Sequence, residues 1–192
     1  MKKILIILGH PDSDSYCGAI AKTYEEAARS KGAEVNRLFL GDMQFQLNLA
    51  HGYKKRTELE ADLVQAQQLI KWADHLVFVY PTWWGTMPAL LKGFIDRTFL
   101  PGFAFSYRKN SSLWDKLLTG KTARLLVTMD TPIWYYAFVY KNVGHQIMKN
   151  NILSFCGIKP VRVLSLGSVK MASEERKKNW LQKVRVLGEK MI

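Results

Sequence analysis

Apolar residues in this chain come in short blocks of two kinds, and the two kinds alternate. From Lys3 to Gly9 the chain is continuously apolar, the pattern of a central parallel strand covered on both faces. Tyr16, Ile20, Tyr24 and Ala27 then recur at helical spacing, and Lys31-Gly32 supplies a stop. Val35 to Leu40 reads as a second strand, followed by a polar, irregular stretch from Gly41 to Arg56. Leu59, Leu63, Ala66, Ile70 and Ala73 step by fours and threes, which predicts an amphipathic helix. His75 to Tyr80 is a third strand. A helix opens near Pro88, a residue suited to a first helical position, and carries Leu91, Phe94, Ile95 and Thr98.

The second half repeats the alternation. Pro101 to Gly120 reads as a long loop, Ala123 to Met129 as a fourth strand, and Asp130 to Gly144 as an aromatic-rich connection. A helix from His145 to Cys156 stops at Gly157, and Val161 to Leu166 is a fifth strand. Ser173 caps the last helix, with Glu174 and Glu175 in its first turn, where carboxylates suit the helix dipole. Trp180, Val184, Leu187 and Met191 form its buried stripe. Five strands with intervening helices predict an α/β fold: an open, doubly wound parallel sheet in a single domain, residues 1–192. Such sheets bind ligands beyond the carboxyl ends of their strands, here the loops after Leu8, Tyr80 and Thr128.

Composition narrows the class. At 192 residues, 48% hydrophobic and 23% charged, the chain has ordinary globular content. No apolar run approaches the roughly 18–20 residues a membrane span needs. The run after Met1-Lys2-Lys3 is too short for a signal-peptide core and lacks a cleavage site, so it is read as a strand. Two distant cysteines, Cys17 and Cys156, argue against a disulfide framework and against a structural metal, and make a reducing cytoplasm the default. The net charge of +12 would suit nucleic acid, acidic lipid or phosphorylated small molecules. Its residues are scattered, Arg176-Lys177-Lys178 falls on an exposed helix face, and no nucleic-acid motif accompanies them.

The first loop, Gly9 to Cys17, joins a strand to a helix N-terminus, an arrangement that offers free N–H groups and a positive dipole end to a phosphate. His10 and Ser15 add side-chain donors, whereas Asp12 and Asp14 count against an anion unless they face solvent. The alternative is that Ser15 caps the helix and His10 closes a turn. The loop is neither a Walker loop nor a dinucleotide fingerprint, which argues against a nucleoside triphosphate. The second loop, Tyr80-Pro81-Thr82-Trp83-Trp84-Gly85-Thr86-Met87-Pro88, offers aromatic faces and backbone donors to a planar ring. One tryptophan is expected in the core and one near the ligand.

The stretch Pro81 to Arg97, with Gly102-Phe103-Ala104-Phe105 after it and Gly-His-Pro through Ser15-Tyr16 before it, resembles the NAD(P)H:quinone oxidoreductase family, in its NAD(P)H dehydrogenase (quinone) and modulator-of-drug-activity branches. The resemblance covers nearly the whole chain. It implies a flavodoxin-like, homodimeric domain that binds FAD or FMN and passes a hydride from NAD(P)H through the flavin to a quinone. By the same resemblance His10, Ser15, Tyr16 and Cys17 line the flavin phosphate. Pro81, Thr82, Trp83, Trp84 and Gly85 embrace the ring, and Phe103 and Phe105 lie near the site wall or the dimer partner. The third loop departs from the pattern: a Thr-Gly-Gly turn is replaced by Thr128-Met129-Asp130-Thr131-Pro132. The N–H groups of Met129, Asp130 and Thr131 still serve, though close approach is harder without glycine.

Tyr136 and His145 are the candidates for handling charge and a proton on the reduced flavin, with Tyr135 an alternative and His145 equally readable as a helix start. FAD is favoured over FMN from the Pro81–Phe105 block. NADH against NADPH stays open, as does the acceptor among quinones, azo compounds, nitroaromatics and free flavin. Two rival functions are an electron-carrier flavodoxin, a class usually acidic, and a flavin-binding accessory subunit that regulates a membrane transporter.

Overall fold

The structure, a computed structural model, describes residues 1–192 apart from Tyr53 and Arg56. The irregular stretch expected from Gly41 to Arg56 is therefore seen only in part, its last residue lying outside the described residues. Strand β1 (Lys3–Leu8) has every apolar position buried, as a central strand requires. Around it run β2 (Glu34–Phe39), β3 (His75–Pro81), β6 (Thr122–Met129) and β7 (Val161–Gly167), all parallel, in the order β2-β1-β3-β6-β7. Two further strands, β4 (Phe105–Tyr107) and β5 (Trp114–Lys116), form a separate antiparallel hairpin.

Helices cover both faces. On one, α1 (Tyr16–Ser30) packs beside α6 (Glu174–Lys190), with Gly188 so close to Tyr24 that a Cβ there would lie 2.7 Å from its carbonyl oxygen. On the other lie α2 (Ala61–Trp72), α3 (Ala89–Thr98), the short α4 (Ile133–Phe138), and α5 (Val143–Gln146), which runs on into a π-helical segment, Ile147–Ser154. Each face has its own apolar core, one built on Leu5, Phe78, Phe94 and Leu125 and the other on Ile6, Tyr24, Val77 and Val184.

Three local expectations change. The loop from Pro101 to Gly120 contains the β4–β5 hairpin, held at its turn end by an Arg108–Asp115 ion pair and packed through Trp114, stacked 4.4 Å from Phe155. The aromatic connection after β6 contains α4. The helix expected from His145 begins two residues earlier and widens to π geometry, a feature common near functional sites.

Between β2 and α2 the described residues form no helix or strand, and side chains satisfy part of their backbone instead. Gln44 N–H donates to Asp62 (2.6 Å) and Gln46 N–H to Glu60 (3.0 Å). Arg97, 1% exposed at the end of α3, donates to the Gln46 carbonyl (2.7 Å), the Glu58 carbonyl (3.3 Å) and the Glu60 carboxylate (2.7 Å). Gly93 lets this segment lie on α3, since a Cβ there would sit 2.6 Å from the Leu47 carbonyl oxygen.

Candidate active site

The loops after β1, β3 and β6 meet at the carboxyl end of the sheet. In the first, Asp12 N–H lies 3.0 Å from His10 Nδ1, and Asp14 N–H donates to the Asp12 carboxylate (2.8 Å). Asp12 and Asp14 are both exposed. Ser15 caps α1 by accepting from Gly18 N–H (3.3 Å), while its hydroxyl donates to the Asp12 carbonyl (2.7 Å). Capping leaves the N–H groups of Tyr16 and Cys17 with no partner among the described residues, at the positive end of the helix. Both readings of Ser15 are compatible, because a cap presents the remaining donors to an anion. Ser15→Ala is expected to cost about 1 kcal/mol of stability, measured by urea unfolding; an unchanged midpoint would show that the cap is idle.

Tyr16 points away from this loop: its hydroxyl donates to the Lys177 carbonyl (2.9 Å) and its ring leans on Trp180. What it offers the loop is main chain. Cys17 is buried with Sγ 3.2 Å from Thr128 Oγ1, and burial pushes its thiol up to about 11, the thiol form at neutral pH.

The second loop is a tight reversal. Trp83 N–H donates to the Thr86 carbonyl (2.9 Å) and Thr86 N–H to that of Trp83 (3.1 Å), with Trp84 at φ 50° and Gly85 at φ 78°. Positive φ at both central residues is the geometry of the primed hairpin turn, which glycine meets without strain and tryptophan does not. The turn turns both indoles outward: Trp84 is fully exposed and Trp83 is 45% exposed, so neither fills the core. Trp83 meets the His10 ring edge-on at 5.8 Å. Pro81 is buried at the end of β3, and Thr82 N–H donates to the Thr128 carbonyl (2.7 Å). Phe103 and Phe105 are both buried in the core, Phe105 against Phe155.

The third loop carries Met129, buried, and Asp130, whose carboxylate accepts from Lys170 N–H (2.9 Å). The N–H groups of Asp130 and Thr131, like those of Trp84 and Gly85, have no partner among the described residues. Behind them Tyr136 is buried, donating to the Gly85 carbonyl (2.9 Å) and accepting from Gly144 N–H (2.9 Å). A Cβ on Gly144 would lie 2.5 Å from that hydroxyl, so glycine is required there. Burial raises the Tyr136 phenol, against the hydrogen bonds from Gly144 and His145 that lower it. His145 lies 5.0 Å from Tyr136 ring to ring, with Nε2 2.8 Å from Ser165 Oγ, and burial lowers its imidazole, which is neutral at pH 7.

The structure thus brings together His10 with Trp83, Cys17 with Thr128 and Thr82, and Tyr136 with Gly85, Gly144 and His145. Sequence reasoning did not find Thr128, Gly144 or Ser165. Gly144 stood at the end of the expected connection, where a glycine carries no distinct signal.

A family model described as flavodoxin-like fold matches residues 2–190. The chain is 29% identical to a Haemophilus influenzae protein named as an uncharacterized NAD(P)H oxidoreductase, covering 93% of this chain and 90% of that one. It is 25% identical to the ribosyldihydronicotinamide dehydrogenase (quinone) of Rattus norvegicus, covering 96% and 91%. A solved Streptococcus mutans structure superposes with a TM-score of 0.81 at 34% identity, over 98% of this chain and 99% of that one.

Proposed function

Since the chain belongs to the flavodoxin-like fold family, with NAD(P)H quinone oxidoreductase-like homologues across its whole length, we propose that it is a flavin-dependent oxidoreductase that passes a hydride from NAD(P)H to a quinone or similar small acceptor. The observation that carries this reading is the set of uncommitted N–H groups at Tyr16, Cys17, Trp84, Gly85, Asp130 and Thr131, grouped on three adjoining loops beside two outward indoles.

Those groups fit a flavin. The helix start at Ser15, Tyr16 and Cys17 suits its phosphate, with His10 beside it. Pro81, Thr82, Trp83, Trp84 and Gly85 would hold its ring, and Met129, Asp130 and Thr131 would serve its polar edge. When bound, a flavin would supply the hydride chemistry between NAD(P)H and the acceptor, and a single slot beside these loops shared by both substrates would make the order ping-pong. The chain's own residues position and stabilise. Backbone donors at Gly85 and Asp130–Thr131 oppose negative charge at the ring edge. Tyr136, whose hydroxyl is spent on Gly85 and Gly144, works through the turn, while neutral His145, anchored by Ser165, is placed to hold the proton a quinone takes up.

FAD is proposed over FMN because a groove of about 530 Å³ runs from Ser13–Ser15 along α1 to Arg37 and Phe39, room for a second nucleotide half. A homodimer belongs to the proposal, with exposed Trp134, Phe138 and Val139 as surface available to it. So does a reducing, cytoplasmic setting, supported by free Cys17 and Cys156; among the described residues no helix is long and apolar enough to cross a membrane. The purified protein, or the protein given FAD, is expected to be yellow and to bleach on adding NADH or NADPH without any partner enzyme. A protein that binds no flavin refutes the reading. One that binds flavin yet is reduced only through a partner is an electron carrier.

A further inference from the structure

A second cavity, of about 130 Å³, lies at the opposite end of the sheet, lined among others by Lys2, His75, Thr122, Arg162 and Ile192. Two features of it are unbalanced. The first is His75, the opening residue of β3, which is 2% exposed. Its Nδ1 lies 2.6 Å from Oγ1 of Thr122, its register partner on β6, while Nε2 has no partner among the described residues. Native proteins rarely leave such an atom unpaired, because its desolvation goes uncompensated. With Nδ1 accepting from the Thr122 hydroxyl, a neutral ring carries its proton on Nε2 and has a donor to offer.

The second is charge. Arg124 on β6 and Arg162 on β7 are direct register partners, and like charges opposed across a ladder destabilise it. Lys2 joins them. Burial first, then Lys2, Arg124 and Arg162, bring the His75 imidazole down to about 3. Arg124 Nε donates to the Ile192 backbone oxygen (2.9 Å) and Lys2 Nζ to that of Met191. Among the described residues no Asp or Glu side chain forms an ion pair with any of the three cations. Asp74, the carboxylate that acts on Lys2, accepts from the Lys3 N–H (2.9 Å).

We infer that this cavity is a seat for a phosphate-type oxyanion, held by the Lys2 ammonium, the Arg162 guanidinium group and the His75 Nε2–H, with buried Arg124 adding its charge from behind. An anion there supplies the acceptor that His75 lacks and the negative charge that offsets the Arg124–Arg162 opposition. The cavity admits either free phosphate or the phosphate end of a monoester whose remainder stays outside. It is separated from the carboxyl-end loops by the length of the strands, so the inference stands whether or not the chain binds flavin.

The test is thermal unfolding of the whole chain in chloride and in phosphate at equal ionic strength, for the native protein and Arg162→Gln, with glycerol phosphate as a second anion. At about ten times its dissociation constant, phosphate is expected to raise the native midpoint by about 3–6 °C. Arg162→Gln, at an exposed position, is expected to unfold in chloride at or above the native midpoint, since it relieves like-charge opposition, and to show no rise in phosphate. A rise with glycerol phosphate too identifies a monoester end as a ligand; a rise with inorganic phosphate alone identifies the free ion. Three results overturn the inference: no rise beyond chloride; a rise that survives Arg162→Gln and so belongs elsewhere; or an Arg162→Gln protein weaker in chloride, which means the chain's own Ile192 oxygens already satisfy the cluster. His75→Phe, if it folds, should also lose the phosphate rise.

Discussion

Replacing Arg97 by alanine is expected to cost about 3–5 kcal/mol, a large share of the about 5–15 kcal/mol that typically holds a domain together. The guanidinium is buried at the end of α3 and is the common partner of the Gln46 and Glu58 carbonyls and the Glu60 carboxylate. Removing it opens a void beneath the segment between β2 and α2 and leaves those acceptors without their donor. Lysine should recover only part of the loss, because an ammonium cannot reproduce the fork. Urea unfolding measures it, and a loss under about 1 kcal/mol would mean the latch is replaceable by water. Acid should narrow the gap. Burial pushes the Glu60 carboxyl up, but the Gln46 N–H, its own N–H and Arg97 together hold it below its ordinary value. A carboxyl held low in the fold adds stability above its unfolded value near about 4.3 and loses it as pH falls through the folded value. The native protein should therefore approach Arg97→Ala in stability below about pH 4.

Tyr136→Phe is expected to weaken flavin binding about 10–100-fold, equivalent to about 1.4–2.7 kcal/mol, while kcat of the flavin-saturated protein falls by less than tenfold. The hydroxyl bridges the half-buried Gly85 carbonyl and the buried Gly144 N–H, so its loss strands a donor and an acceptor. The consequence falls on the Trp83–Thr86 turn, whose positive-φ residues need outside support to hold their shape. Flavin titration separates this from direct proton donation. A collapse of kcat at unchanged flavin affinity would make the hydroxyl itself the proton donor.

Much of the fold was legible because buried parallel strands are apolar at every position, as Ile4–Leu8 and Leu76–Tyr80 are. The starts of α1 and α6 were legible because Ser15 and Ser173 are caps with a local mechanism. What escaped was non-local or small. The β4–β5 hairpin has strands of three residues, too short for alternation to register, and its Arg108–Asp115 pair has no local signature. Apolar spacing does not separate an α-helix from the π-helical Ile147–Ser154. In the site, the loops were legible but the orientations were not. A turn with tryptophan at positive φ has no propensity behind it, so the outward direction of both indoles could be read only from the fold. Nothing local marks the role of Arg97, because its partners are brought to it from two other parts of the chain.

The order of the strands also sets a schedule for synthesis. β1 pairs on one side with β2, which follows soon after, and on the other with β3, whose register begins at Ile4 with His75. On a ribosome adding about 5–20 residues per second, the wait between completing β2 and completing β3 is roughly 2–8 s. Throughout it, the most apolar strand of the molecule presents an unpaired edge to water, and β3 must then wait in turn for β6. Long-range parallel pairing of this kind is slow and exposes sticky edges. The nascent chain, more than the finished fold, is where this molecule is most exposed to aggregation.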